Sequence, residues 1–148
     1  MNIRPAISSD ISQLLPLLQK LFSIEEDFVF DAVKATAALS LLMENSSATV
    51  LVAECETGVC GMVSGQLTIS TAEGGHSLLA EDLVVVDAFQ KRGVATKLLK
   101  SLAVWGGEKG ATRMQLLADK NNEKALEFYK KRGWQTTQLI CLRSFAQE

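Results

Sequence analysis

Histidine and tyrosine occur once each among the 148 residues, proline twice and cysteine three times, and each scarcity closes a route. The lone histidine, His76, follows Gly74-Gly75 in what reads as a turn, so no basic partner is at hand for a catalytic thiol. Cys55, Cys60 and Cys141 are odd in number, lack metal-type spacing and fall on apparent strands; they read as reduced core residues, and no metal set is expected. No apolar run approaches the roughly 20 residues of a membrane span, and no basic start leads into an apolar core, so neither membrane nor secretion is expected and the address is cytoplasmic. Basic excess is also missing. A net charge of -2 argues against nucleic acid as a partner. What remains, 47% hydrophobic and 22% charged residues, describes an ordinary folded chain of one domain, 1–148.

The stretch richest in information runs from Leu78 to Leu102. An apolar strand, Leu78 to Val86, enters the turn Gln90-Lys91-Arg92-Gly93-Val94-Ala95, and an amphipathic helix follows. The first amides of a helix lack intrahelical partners and the peptide dipoles put partial positive charge there, so this turn suits an anion. Gly93 and Ala95 keep its wall low, Lys91 and Arg92 add charge, and Thr96 adds a hydroxyl. A nucleotide-like diphosphate is the expected guest. The turn lacks the Gly-Lys-Ser/Thr ending of ATP-binding loops and the three-glycine spacing of dinucleotide folds, which sets ATP and NAD aside.

Taken in order, the chain alternates strands and helices. Asn2 to Ala6 reads as a short strand stopped at Pro5, and Ser8 as the cap of a helix whose apolar positions are Ile11, Leu14, Leu15, Leu18, Leu21 and Phe22. Pro16 inside it predicts a bend, or a start of regular helix nearby. Acids and aromatics alternate next, through Glu25, Glu26, Asp27, Phe28 and Phe30, before a second helix from Asp31 to Glu44. Strands are predicted over Ala48 to Glu56 and Val59 to Ser70, with Gly61 and Gly65 marking a bulge or the close approach of another group, such as a substrate. After the Gly93 turn, Leu98, Leu99, Leu102 and Trp105 define the buried face of a helix that Gly106-Gly107 and Gly110 should end. A buried parallel strand over Arg113 to Ala118, a helix capped by Asn122 and a last strand from Trp134 to Arg143 complete the pattern. The fold class is α/β, a mixed but mostly antiparallel sheet with flanking helices.

Glu81 and Asp82 are the only carboxylates in the strand Leu78 to Val86. Regular alternation sends them to opposite faces, and apolar neighbours favour the neutral form of either acid. At most one of the two can face a given cleft, and Asp82 reads as structural.

Gln90-Xaa-Xaa-Gly93-Xaa-Ala95 after a valine-rich strand, followed by Asn122-Xaa-Xaa-Ala125-Xaa-Xaa-Phe128-Tyr129-Xaa-Xaa-Xaa-Gly133-Trp134, resembles the GNAT superfamily of N-acetyltransferases. The resemblance implies acetyl-CoA as cofactor and a primary amine as acceptor, with a small molecule expected. It implies that Leu83, Val84, Val85 and Val86 pair through their backbone with the pantetheine arm. The diphosphate would then rest on Gln90 to Thr96. By the same resemblance Asn122 and Ala125 adjoin the cofactor, Tyr129 protonates the leaving sulfur, Glu81 deprotonates the acceptor, and Glu25, Glu26 and Phe28 help bind it. Acetylation of a protein N-terminus or lysine, and a non-catalytic acetyl-CoA-binding module, stay open as alternatives. A homodimer is the assembly that the family's habits suggest.

Overall fold

A computed structural model describes residues 1–25 and 27–146. The chain divides into two compact units, Met1–Leu116 and the residues from Leu117 onward, and each is described by itself.

The first unit is a five-stranded sheet in the order β1-β2-β3-β4-β5, formed by β1 (Asn2–Pro5), β2 (Ala48–Cys55), β3 (Gly58–Ser70), β4 (Gly75–Val85) and β5 (Ala111–Gln115). The first four strands run antiparallel and β5 joins β4 in parallel, the mixed sheet expected from the alternation of elements. Helices α1 (Ile11–Ile24) and α2 (Ala32–Glu44) cover one face, and α3 (Val94–Glu108) packs on the other.

Strand alternation explains this division. Val50 and Val52 of β2 and Met62 of β3 face α1 and α2, where they meet Leu14, Leu17, Leu18, Ala35 and Leu39. Each such aliphatic side chain contributes about 1.5–3 kcal/mol when fully buried. On the opposite face β3 presents Gly61 and Gly65. A Cβ on Gly65 would lie 2.5 Å from Leu102 Cδ1, and one on Gly61 would lie 3.1 Å from Val94 Cγ1. The two glycines therefore make way for α3 rather than for a substrate, which corrects one of the two readings given above.

Arg4 closes the other end of the sheet. Its Nη1 donates to Asp10 Oδ2 at 2.8 Å and its Nη2 to Asp10 Oδ1 at 3.0 Å, while Nε and Nη2 also reach Glu54 Oε2 on β2. Asp10 in turn accepts the Ile7 amide at 2.8 Å. Asp10, not Ser8, thus organises the start of α1, behind a 3-10 turn over Ser8–Asp10. Pro16 lies inside a helix that begins five residues before it and continues to Ile24. Pro16 and Ser12, the residue whose carbonyl it leaves without an amide, are both exposed, so water can take up the lost bond.

Several boundaries differ from expectation. His76 stands in β4, paired with Ile69 and Ala111, because the turn closes earlier at Thr71 to Gly74. Helix α3 runs through Gly106 and Gly107 to Glu108; Gly106 is buried against Leu78, where a Cβ would lie 2.7 Å from Cδ2. Trp105 is only half-buried, its ring beneath Lys109. β5 is shorter than expected and, as the outer strand of the sheet, has Met114 half-buried and Leu117 beyond it 65% exposed.

In the second unit α4 (Glu123–Lys131) is capped by Asn122, whose Oδ1 accepts the Ala125 amide at 3.1 Å. Gly133, at φ 87°, ends it as expected. No strand forms over 134–146 among the described residues, and Cys141 is exposed there rather than in a core. The run Leu139-Ile140 breaks the period of two that a half-buried strand requires, and Leu139, Ile140 and Leu142 are 80–86% exposed.

Gly65→Ala should lose about 1–3 kcal/mol in denaturant unfolding, since Leu102 and Leu78 are both buried and have no room to yield. Arg4 and the Ile7 amide hold the Asp10 carboxyl below its ordinary value of 3.8 against the opposing effect of burial. Its stabilising contribution is therefore present above that value and fades as pH falls through the lowered one; Asp10→Asn should flatten the acid limb of stability against pH.

Candidate functional site

The centre of the site is an irregularity in β4. Met62 pairs with Val84 and Ser64 with Glu81, so two steps along β3 correspond to three along β4. The extra residue is accommodated at Asp82, which takes a left-handed φ of 55°. Cross-strand partners share a face, so Glu81 and Val84 both lie on the side of α1 and α2 that Met62 and Ser64 occupy. The bulge thereby cancels the alternation that should have sent Glu81 and Asp82 apart. Both line one cleft of about 300 Å³, with Ser64 and Gln66 from β3 and Ala38, Leu41 and Leu42 from α2.

Within the cleft Ser64 Oγ lies 3.2 Å from Asp82 Oδ2 and 3.2 Å from the Glu81 carbonyl, and Gln66 Nε2 donates to Glu81 Oε1 at 3.4 Å. Glu81 stands at the exposed rim and Asp82 is half-buried. Burial pushes both carboxyls above their ordinary values; the neighbouring Asp82 charge adds to the effect on Glu81, and the Ser64 hydroxyl opposes it on Asp82. Ser64, Gln66 and Asp82 were not singled out from the sequence as site residues. The bulge that gathers them leaves no local signature, because Glu-Asp within an apolar run is compatible with regular strand.

Of the other residues assigned to the acceptor, Glu25 follows the last turn of α1 and Phe28 packs on Phe22 with ring centroids 5.6 Å apart. Neither lines the cleft, and Glu26 lies outside the described residues.

Past the bulge, the side of β4 away from β3 is open. β5 pairs only with His76 to Leu79, so Ala80 to Val85 have no strand partner there. The backbone of Leu83, Val84 and Val85, assigned above to the pantetheine arm, lies in this stretch. Val86 differs, because its amide already donates to Cys60 O at 2.9 Å. Lys20 of α1, also missed in the sequence, reaches across to donate to Val85 O at 2.7 Å and pairs with Asp87. Only a long-range contact identifies it.

A 3-10 turn over Asp87–Phe89 then carries the chain to Gln90, whose Nε2 contacts Asp87 Oδ1 at 3.3 Å. Lys91 and Gly93 take left-handed φ angles of 62° and 82°, and Arg92 lies over the Phe89 ring. The Lys97 amide bonds Gly93 O, so Val94, Ala95 and Thr96 form the first turn of α3 beside two cations. A Cβ on Gly93 would meet nothing within 4 Å, which agrees with a low wall at that position. These residues fit an anionic diphosphate in both charge and room.

In the second unit Tyr129 is half-buried, edge-on to Phe128 at 5.3 Å and to Trp134 at 5.6 Å between centroids. Asn122 and Ala125 form the cap of the same helix.

A sheet opened along one strand, with an anion-ready helix start at that strand's end, is the architecture of an acyl-CoA-dependent acyltransferase. The family model described as acetyltransferase (GNAT) domain matches residues 46–136, more than half of the chain, and the chain belongs to that family, whose members use acetyl-CoA. It is 27% identical over 135 residues to an uncharacterized N-acetyltransferase of Bacillus subtilis, YhfO, covering 91% of this chain and 90% of the relative. Two solved structures share the fold. A transcriptional regulator from Bacillus halodurans aligns with a TM-score of 0.86 at 20% identity, over 97% of this chain and 99% of that one. An aminoglycoside N-acetyltransferase, AAC(6')-Iy, in complex with CoA aligns with a TM-score of 0.85 at 16% identity, over 97% and 93%.

Gly93→Ala should cost about 1 kcal/mol of stability for placing an L-residue at a left-handed angle. It should also weaken acetyl-CoA binding several-fold in calorimetry; undiminished affinity would show that the turn is not the diphosphate cradle.

Proposed function

We propose that the whole chain, 1–148, acts as one N-acetyltransferase domain that transfers an acetyl group from acetyl-CoA to the primary amine of a small molecule by direct attack. The observation that carries this reading is the cleft of about 300 Å³ in which Glu81 and Asp82 meet, set on the same strand whose far end leads into the Gln90 to Thr96 turn. A cleft of that size is at the small end for organic ligands, and two carboxylates draw a cation into it. No helix among the described residues is long and apolar enough to cross a membrane, and the partners assigned are acetyl-CoA and the amine.

Acetyl-CoA supplies an activated thioester, at whose carbonyl carbon a C–N bond forms as the C–S bond breaks. The acceptor arrives as an ammonium ion and must lose a proton to attack. Glu81 takes that proton, directly or through water, and its raised proton affinity suits the task. Lys91, Arg92 and the first turn of α3 hold the diphosphate, while the backbone of Leu83 to Val85, its last carbonyl held by Lys20, orients the pantetheine arm. By resemblance to the family the Tyr129 hydroxyl would give a proton to the departing sulfur; phenols, with an ordinary pKa of about 10, hold their proton at neutral pH. By the same resemblance Asn122 and Ala125 are assigned to the cofactor, and Glu25, Glu26 and Phe28 to the acceptor.

Release of free CoA thiol from acetyl-CoA, followed across polyamines, aminoglycosides, amino acids and short peptides, tests the reading. Turnover is expected with a small amine. Turnover with peptides alone would reassign the acceptor to protein, and tight acetyl-CoA binding without turnover on any of them would favour a binding module. Tyr129→Phe should lower kcat about 10²-fold or more with acetyl-CoA affinity retained; an unchanged kcat removes Tyr129 from the mechanism.

A further inference from the structure

Glu81 does not act alone in the cleft. Resting on the transferase reading above, we propose that Asp82 is a positioning residue for acyl transfer: its left-handed bulge turns both carboxylates into one cleft, so that Glu81 receives the acceptor's proton beside a second fixed negative charge. A residue other than glycine held at φ 55° within a strand is an observed departure from favoured geometry, of a kind that collects at functional sites. What the departure accomplishes here is visible. In a regular β3–β4 register one of the two acids would face α3 and the other would stand alone in the cleft.

The surroundings favour coupling of the pair. α2 contributes Ala38, Leu41 and Leu42, which carry no charge, and β3 contributes Ser64 and Gln66, which are neutral. Among the described residues no cation lines the cleft, and the one cation of α1, Lys20, is engaged further along β4 with Val85 O and Asp87, so the repulsion between the two carboxylates is not offset from within the cleft. Leu41 and Leu42 place apolar surface on one side of the pair, and surroundings of low dielectric strengthen such repulsion. Ser64 fixes Asp82 by a hydrogen bond to Oδ2, and Gln66 fixes Glu81 at Oε1. Each acid therefore has its own neutral partner on β3. Asp82 raises the basicity of Glu81 through space and does not itself receive the proton. When the ammonium binds, the same two charges hold it; once Glu81 is protonated, repulsion within the pair is relieved.

The proposal is tested with Asp82→Asn and Asp82→Gly. Asparagine and glycine both tolerate the left-handed angle, so either variant keeps the bulge while removing the charge. In kcat/KM against pH, the limb on which activity rises as the base deprotonates should move down by roughly one pH unit in both variants, the order expected for loss of one nearby charge. The plateau above it should fall, because a weaker base remains. In Glu81→Gln that limb should disappear. A parallel reading needs no acceptor: the side-chain carboxyl of Glu81, followed by carbon NMR through a pH titration, should titrate lower in both Asp82 variants than in the unaltered protein.

Three outcomes overturn the proposal. If the variants lose activity at every pH with the limb in place, Asp82 is merely structural. If the limb persists in Glu81→Gln and vanishes in Asp82→Asn, Asp82 is itself the base. If the Glu81 titration does not move, the carboxylates are uncoupled. The last result is independent of turnover, so a protein inactive on every amine would defeat the transferase reading while the titration still decides the coupling.

Discussion

The close approach of α3 to β3 is the constraint from which the rest of the first unit follows. Side-chain atoms of Val94, Leu98 and Leu102 occupy the space that side chains at Gly61 and Gly65 would fill, and Leu78 fits against Gly106 from the other direction. Glycine at these places sets the distance of the helix from the sheet, at a cost in backbone entropy that burial of the leucines offsets. A helix seated this closely, and tied to β4 by a short connection, has its first turn fixed beside that strand's end. The first-turn amides are thereby placed by packing, and Val94 belongs at once to the packed face and to the turn.

The second element of order is the bulge in β4. From His76 to Leu79 the strand is an ordinary interior strand, paired on both sides; beyond Leu79 the partner on one side ends, and at Asp82 the face of the side chains shifts. One inserted residue therefore separates a structural half from a chemical half. Desolvation at Glu81 and Asp82 follows from what α2 presents to them, so the protonation behaviour of the cleft is partly a property of Ala38, Leu41 and Leu42.

The legible parts of this molecule were the local ones. Gln90 to Ala95 combines a left-handed glycine, cations and a helix start within a few residues, and such signals are read without knowing what lies elsewhere in the chain. The same holds for Asn122 as a cap and for Gly133 as a stop, as the structure shows. Features that depend on a partner distant in sequence were hidden. Gly61 and Gly65 announced a close approach but not by what, Lys20 gave no sign that it would reach Val85, and Asp82 carried no mark of its left-handed angle. Trp134 to Arg143 has strand-forming composition, yet a strand exists only with a neighbour to complete its hydrogen bonds, and composition cannot supply one.

The four-residue ladder between β4 and β5 has a thermodynamic consequence of its own. Backbone amides protected by two neighbouring strands open to solvent only when a large part of the sheet opens, whereas those flanked on one side respond to local fluctuations. Along β4 the boundary falls at Leu79, so a single strand joins a stiff half to a compliant one. A ligand with hydrogen-bonding groups settling along Ala80 to Val85 would supply the missing neighbour, and amide exchange along that half of the strand would slow.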